Sequence, residues 1–97
     1  MMQLESALRL LRAHQADLRQ RGVESLAVFG SVARGENTSA SDLDVLVEFD
    51  HLVGLFEFIR LKYYLESLVN CRVDLVTTDA IRPEMRENIY KEVVYVS

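Results

Sequence analysis

Three aspartates stand in segments where aspartate is unfavourable, and their spacing points to metal chemistry. Asp42 and Asp44 lie at the start of a run of alternating apolar residues, and Asp74 interrupts a second apolar run. Aspartate is among the residues least favoured in strands, so this conflict with local propensity indicates a functional role. Residues two apart on a strand point to the same face, so we expect Asp42 and Asp44 to project together.

Two carboxylates held close together repel each other unless a cation lies between them or one takes up a proton. At about 4 Å the repulsion is roughly 4 kcal/mol at an effective dielectric constant of 20. With Asp74 from a neighbouring strand, the group would form an all-oxygen pocket suited to Mg²⁺ or Mn²⁺. Two such ions, about 3.5 to 4 Å apart, could clamp an in-line phosphoryl displacement. A structural interpretation stays open, in which Asp42 is an exposed strand-end residue and Asp74 faces solvent from an edge strand.

The pair Gly30-Ser31 directly follows a strand-like segment and could bind phosphate. Glycine lets a backbone approach a ligand closely, and a following helical turn presents free N–H groups to an anion. Ser31 can offer its hydroxyl, and Arg34 can reach phosphate oxygens as a planar fork that keeps its charge. Arg34 could instead be a solvated loop charge. We expect Gly35 to serve a turn rather than to contact a ligand.

The elements that must position these residues follow from the spacing of apolar residues. A first helix is predicted from Leu4 onwards, with Gly22 as its C-cap. The other expected elements, in chain order, are a strand at 25–29, a loop at 31–41 with a helical turn near 32–34, a strand at 43–49, a helix at 55–69 ending at Asn70, a strand at 72–77, and a helix beginning at Pro83. Residues 93–96 are predicted as either a fourth strand or a frayed tail.

This order predicts a single α/β (α+β) domain over residues 1–97, in which helices pack against a mixed sheet of three to four strands. Eleven Lys and Arg against fifteen Asp and Glu give a net charge of -4, so no positive field covers the whole domain to hold a nucleic-acid backbone, and any nucleotide would need a local site. The lone Cys71 excludes an intramolecular disulfide, and no apolar stretch approaches the roughly 20 residues that cross a bilayer. We expect a cytoplasmic protein without direct nucleic-acid or membrane partners.

The local sequence GSVARGENTSASDLDVLVEF resembles the signature of the minimal nucleotidyltransferases (MNT) of the DNA polymerase β superfamily. The shared pattern is Gly30-Ser31, ten intervening residues and Asp42-Leu43-Asp44. Arg34 and Ser41 fall where that family has its Ala-Arg-Gly and Ser-Asp, and Asp74 matches its third acidic residue on the next core strand. The resemblance extends over nearly the whole chain. It is specific for the superfamily and much less so for the acceptor substrate.

This resemblance implies a polymerase β-like nucleotidyltransferase fold and a Mg²⁺-dependent transfer reaction. An acceptor hydroxyl would attack the α-phosphorus of a nucleoside triphosphate, and pyrophosphate would leave. Asp74 would be the base or the metal-bound activator of that hydroxyl. The implied ligand sets are ATP as donor, held through Gly30, Ser31, Arg34 and Ser41, and two Mg²⁺ ions on Asp42, Asp44 and Asp74.

The resemblance also implies a partner. Stand-alone MNT proteins usually act as the antitoxin of a HEPN-type ribonuclease toxin, and similar proteins neutralise it by transferring AMP to a toxin tyrosine. An acidic antitoxin suits a basic ribonuclease. Two alternatives stay open: an idle binding module that masks its partner by contact, and a nucleotidyltransferase of a small molecule such as an antibiotic. The complete set of three aspartates counts against the first, and the lack of a second domain counts against the second.

Overall fold

A four-stranded mixed sheet with helices on both faces forms the computed structural model, which describes residues 2–96. The helices are α1 (Leu4–Arg12), α2 (Gln15–Gln20), α3 (Gly30–Arg34), α4 (Leu55–Val69) and α5 (Pro83–Glu92). The strands are β1 (Val23–Phe29), β2 (Leu43–Phe49), β3 (Val73–Thr77) and β4 (Val94–Tyr95), and Thr78–Ala80 forms a 3₁₀ turn. The expected mixed sheet is confirmed, and the end of the chain supplies its fourth strand.

The strand order β3-β2-β1-β4 brings three strand ends to one edge of the sheet. β1 runs antiparallel to β2, so the end of β1 meets the start of β2. β2 runs parallel to β3, so the start of β3 lies at the same edge. The residues that the sequence singled out, near 30, 44 and 74, occupy these three strand ends.

The two faces of the sheet are covered unequally. The larger core lies under α1 and α4, where Leu11, Leu61 and Leu65 pack on buried residues of the strands. The opposite face carries a small cluster of Ala27, Leu46 and Ile81, against which α5 places only partly buried residues. Because side chains alternate along a strand, this lightly covered face is also the face of Asp44 and Asp74.

The prediction of one helix from Leu4 to Gly22 is wrong, because the chain turns at His14. The N–H of His14 donates to the carbonyl of Leu11, three residues back, at 3.1 Å. Its ring Nδ1 donates to the carbonyl of Leu10 at 2.9 Å, so the side chain replaces a helical backbone bond. The apolar stripe also lacks a member between Leu11 and Leu18, and the second short helix returns Leu18 to the core.

The predicted ends of the later helices are confirmed. α4 stops at Asn70, which takes the left-handed conformation at φ 55°, and α5 begins at Pro83. The C-cap of α2 is Arg21 rather than the predicted Gly22, which follows it with a positive φ of 84°. Among the described residues, no helix has both the length and the apolar character needed to cross a bilayer.

Candidate active site

Asp44 and Asp74 are direct neighbours across the parallel strands β2 and β3. Neighbouring strands lie about 4.8 Å apart, so the two side chains leave the same face from adjacent positions. The backbone holds this edge closed, because the N–H of Leu43 donates to the carbonyl of Arg72 at 2.8 Å. The structure therefore brings together the two aspartates that the sequence could place only on separate segments.

Asp42 lies just before β2, with its Oδ1 3.5 Å from Nε of Arg72. Both side chains are largely exposed, so water screens this ion pair. Asp42 stands at the mouth of β2, directly before the first paired residue, Leu43. Asp42 still lies near enough for its charge to act on Asp44.

The electrostatics of Asp44 show that negative charge is concentrated here. Partial burial, the charge of Asp74, a hydrogen bond with Asp74 and the charge of Asp42 together raise the pKa of Asp44 from 3.8 to about 6, against an opposing effect of Arg34. The cross-strand pairing of Asp44 with Asp74 accounts for the strength of their interaction, although Asp74 is exposed while Asp44 is partly buried.

Gly30 closes the site from the side of β1. Its φ is +73°, and a Cβ atom at this position would overlap Oδ2 of Asp44. A residue with a side chain would thus be strained and would displace the carboxylate. The glycine was expected to allow close approach of a ligand, and in the structure its immediate neighbour is the carboxylate of Asp44.

The Gly30–Arg34 segment forms a cradle of anion-binding groups, which we name the α3 cradle. It consists of the N–H of Gly30, the hydroxyl of the partly exposed Ser31 and the guanidinium of Arg34. The guanidinium donates from Nε to Glu36 and from Nη1 to Glu92, each at 3.0 Å. Hydrogen bonds to these two carboxylates raise the pKa of Arg34, so it stays charged.

Two other residues of the motif have local partners. The hydroxyl of Ser41 accepts a hydrogen bond from the N–H of Thr38 at 2.9 Å and so closes a turn of the loop before β2. Gly35 takes a left-handed conformation at φ 72° as the C-cap of α3, and no atom lies within 4 Å of the position of a Cβ. Gly35 therefore serves a turn, as predicted, while Ser41 has a partner inside the loop.

The sequence interpretation missed Glu92 and Arg72, which contact the site from elsewhere in the chain. Glu92 is the last residue of α5, and its Oε1 accepts the N–H of Gly30 at 3.0 Å. A carboxylate at the C-terminus of a helix opposes the helix dipole, and that misfit was the one available signal for Glu92. Arg72 offered no signal, since an arginine before a strand is ordinary.

The donor set fits a hard divalent cation by its chemistry. Asp44 and Asp74 offer adjoining carboxylate oxygens, and their mutual repulsion is of the kind that a cation relieves. Within residues 2–96, no three acidic, histidine or cysteine side chains already stand around a common point suited to a metal ion. Asp42 would complete the set by turning from Arg72 towards the other two.

A cavity of about 570 Å³ lies at the opposite end of β2 and β3. Its lining includes Phe49, His51, Leu55, Phe58 and Thr77, and none of the three aspartates. His51 bonds to Asp50 at 2.6 Å and to Glu57 at 2.8 Å, and these carboxylates raise the pKa of its imidazole. This cavity is therefore separate from the acidic site.

Comparison with known proteins points to one family. The nucleotidyltransferase domain profile matches residues 11–96. The chain is 43% identical to the protein adenylyltransferase MntA of Thermococcus cleftensis, over 99% of this chain and 98% of that protein. It is also similar to the solved structure of a minimal nucleotidyltransferase, with 41% identity, a TM-score of 0.80, and coverage of 96% of this chain and 95% of the other.

A more distant likeness concerns the fold alone. The chain superposes with a TM-score of 0.65 and 18% identity on a chain from the structure of a tri-AMPylated Shewanella oneidensis HEPN toxin in complex with an MNT antitoxin. The match covers 93% of this chain and 71% of the other. The similarity therefore extends to the arrangement of strands and helices that positions the acidic residues.

Proposed function

The chain belongs to the nucleotidyltransferase domain family, and from this premise we propose that it is a protein adenylyltransferase that transfers AMP from ATP to a tyrosine hydroxyl of a HEPN ribonuclease, acting as its antitoxin. The observation that carries this proposal is the pairing of Asp44 with Asp74 beside the α3 cradle. Acidic oxygens and phosphate-binding groups at one sheet edge are what nucleotidyl transfer requires.

We assign the triphosphate to the α3 cradle. The N–H of Gly30 and the hydroxyl of Ser31 are donors suited to phosphate oxygens, and the planar guanidinium of Arg34 can bond two oxygens at once. These groups adjoin the acidic pair through Gly30, whose α-carbon lies against Asp44. A triphosphate held there has its α-phosphorus near the carboxylates, and Ser41 supports the site from the loop before Asp42.

We assign divalent cations, Mg²⁺ in the cell, to Asp42, Asp44 and Asp74. Such ions, when bound, neutralise charge on the phosphates and lower the pKa of an acceptor hydroxyl. Asp74 is the carboxylate best placed to take the proton of that hydroxyl, because it is more exposed than Asp44 and so easier for an acceptor to reach. The hydroxyl oxygen then forms a bond to the α-phosphorus, and the bond to pyrophosphate breaks.

The choice of a protein acceptor rests on the similar proteins and on the surface of this chain. The relative from Thermococcus cleftensis is a protein adenylyltransferase, and the Shewanella structure joins an MNT antitoxin to an AMPylated HEPN toxin. In the described part of the chain, the acidic face of the sheet carries the lightly packed α5 and the small cluster around Ile81, so a partner can approach it. A net charge of -4 favours a basic partner.

We also propose a cytoplasmic setting, which fits a cysteine, Cys71, that forms no disulfide.

The test is transfer of label from α-³²P-ATP to a HEPN ribonuclease encoded beside this chain. The purified proteins are incubated with Mg²⁺, and labelled toxin is measured after electrophoresis. We expect label on the toxin with the unaltered protein, a loss of at least about 100-fold with Asp44→Asn or Asp74→Asn, and no transfer after chelation of the metal.

The matched control is Glu48→Gln, which removes the same charge from an exposed position of the same strand. This variant should label the toxin as the unaltered protein does. If the unaltered protein labels the toxin no more strongly than Asp44→Asn does, the proposal is contradicted. Neutralisation of the ribonuclease by Asp44→Asn without labelling would favour masking by contact, and label on a small molecule in place of the toxin would favour the antibiotic-type acceptor.

A further inference from the structure

Glu92 occupies the α3 cradle with its own carboxylate. Oε1 accepts the N–H of Gly30 and Oε2 accepts Nη1 of Arg34, both at 3.0 Å. The side chain is 26% exposed, so it lies mostly inside the contact. One carboxylate thus spans two of the three groups that the proposed function assigns to the triphosphate, and it presents to them anionic oxygens, as a phosphate does.

The position of Glu92 in its helix does not explain its presence. It is the last residue of α5, where a negative charge lies next to the negative end of the helix dipole and is unfavourable. The neighbouring Lys91 has the favourable sign and pairs with Glu87 one turn earlier, at 3.3 Å. The stabilising partners of the Glu92 carboxylate are therefore Gly30 and Arg34.

The helix that carries Glu92 is lightly anchored. None of the ten residues of α5 is buried, and its side chains Met85 and Tyr90 are 49% and 42% exposed. Ile89 is only partly buried against the small cluster around Leu46. β4 begins two residues after Glu92 and stays paired with β1, so the end of α5 is held in place. The side chain of Glu92 can leave the cradle by rotating about its own bonds, and the loosely packed body of α5 opposes this little.

We propose that Glu92 is a built-in competitor of the nucleotide: it fills the α3 cradle in the nucleotide-free protein and leaves when a triphosphate binds. This inference rests on the proposed function, because it takes the cradle to be the triphosphate site. The N–H of Gly30 cannot serve Glu92 and a phosphate at once, and the two anions repel each other. Only molecules in which Glu92 has left the cradle can bind the triphosphate. The apparent affinity for nucleotide is therefore lower than that of the open cradle.

The test compares nucleotide affinity between two charge-matched variants of the full chain. Glu92→Gln weakens the contact with the cradle, while Glu87→Gln removes the same charge from the exposed surface of the same helix. Calorimetric titration with ATP and Mg²⁺, and separately with inorganic tripolyphosphate, should give binding about threefold to tenfold tighter for Glu92→Gln than for the unaltered protein. Glu87→Gln should bind as the unaltered protein does.

The outcomes separate this inference from the proposed function. Equal or weaker binding by Glu92→Gln, with ATP still bound by all forms, would overturn the competitor and leave the transferase standing. Absence of ATP binding in every form would overturn both. Tighter binding by Glu92→Gln with both probes would support the competitor, because tripolyphosphate shares only its phosphates with ATP.

A second measurement needs no nucleotide. The amide of Gly30 should be protected from hydrogen exchange in the unaltered protein, and Glu92→Ala should remove that protection while Glu87→Ala retains it. Fast exchange of this amide in the unaltered protein would overturn the inference. Thermal unfolding of each variant checks that the fold is intact, so that lost protection reports the local contact.

Discussion

The α-carbon of Gly30 lies against the carboxylate of Asp44, so the end of β1 and the start of β2 are fitted to each other at the acidic site. Gly30 and Gly35 have nearly the same φ, +73° and +72°, but only Gly30 has a neighbour where a Cβ would lie. The two glycines therefore illustrate two different requirements. Gly35 is needed for its backbone conformation alone, and Gly30 is needed also because the Asp44 carboxylate lies so close.

We predict that Gly30→Ala lowers the free energy of unfolding by about 2 to 4 kcal/mol, and Gly35→Ala by only about 1 kcal/mol. Both variants carry the cost of a positive φ, and only the first must also move the Asp44 carboxylate. Urea unfolding measures both values. Toxin labelling should fall at least about 100-fold with Gly30→Ala, since the carboxylate is displaced. Equal losses of stability in the two variants would show that the contact with Asp44 is unimportant.

The second prediction concerns Asp44 itself, which we expect to favour activity at the expense of stability. Asp44→Asn removes a partly buried charge that faces Asp74, and its amide can donate to the Asp74 carboxylate. The site is half open to water, so the free energy of unfolding should rise only modestly, by about 0.5 to 1 kcal/mol at pH 8 without metal. Thermal unfolding with and without Mg²⁺ measures it. A less stable Asp44→Asn protein under these conditions would contradict the repulsion.

Much of this site could be predicted from the sequence, because its parts are local. Asp44 and Asp74 interrupt apolar strands, and alternation alone assigns each to the face opposite the larger core. Strand order and register were not predictable, since nothing in either segment specifies that position 44 pairs with position 74. The contacts of Glu92 with Gly30 and Arg34 join residues about sixty positions apart, so no local pattern could reveal them.

The first helix shows a different limit. Its apolar spacing does not distinguish a continuous helix from two short ones, because the same face is buried in both. The break at His14 depends on a side chain that takes the carbonyl of Leu10 from the backbone ladder. Such competition between side chain and backbone leaves only a weak signal in the sequence. It breaks the helix only where the apolar stripe is interrupted.

The third prediction is a loss of stability as pH rises in the absence of metal. The pKa of Asp44 in the folded protein, about 6, is above its ordinary value of 3.8, so the folded state holds this proton more tightly. The resulting stabilisation is complete below about pH 3.8 and is lost as pH rises through about 6. His51, whose pKa is raised above 6.5, acts in the same direction at higher pH.

Urea unfolding between pH 4 and 8 should show both steps for the unaltered protein. Asp44→Asn should remove the step near pH 6, and His51→Asn should remove the later one. Mg²⁺ should reverse the first step, since a metal ion binds the ionised carboxylate. A step near pH 6 that persists in Asp44→Asn would assign the proton to another group.

The last prediction concerns Arg72, whose guanidinium holds Asp42 at 3.5 Å. A cation bound at the site must draw Asp42 from this pair, so Arg72→Ala should bind Mg²⁺ about twofold to fivefold more tightly. The pair is exposed, so stability should change by no more than about 0.5 kcal/mol. Calorimetric titration with Mg²⁺ measures the affinity, and Arg86→Ala, which removes an exposed charge from α5, corrects for the change in net charge. If Arg72→Ala binds Mg²⁺ no more tightly than Arg86→Ala does, Asp42 is not among the ligands or is not restrained by Arg72.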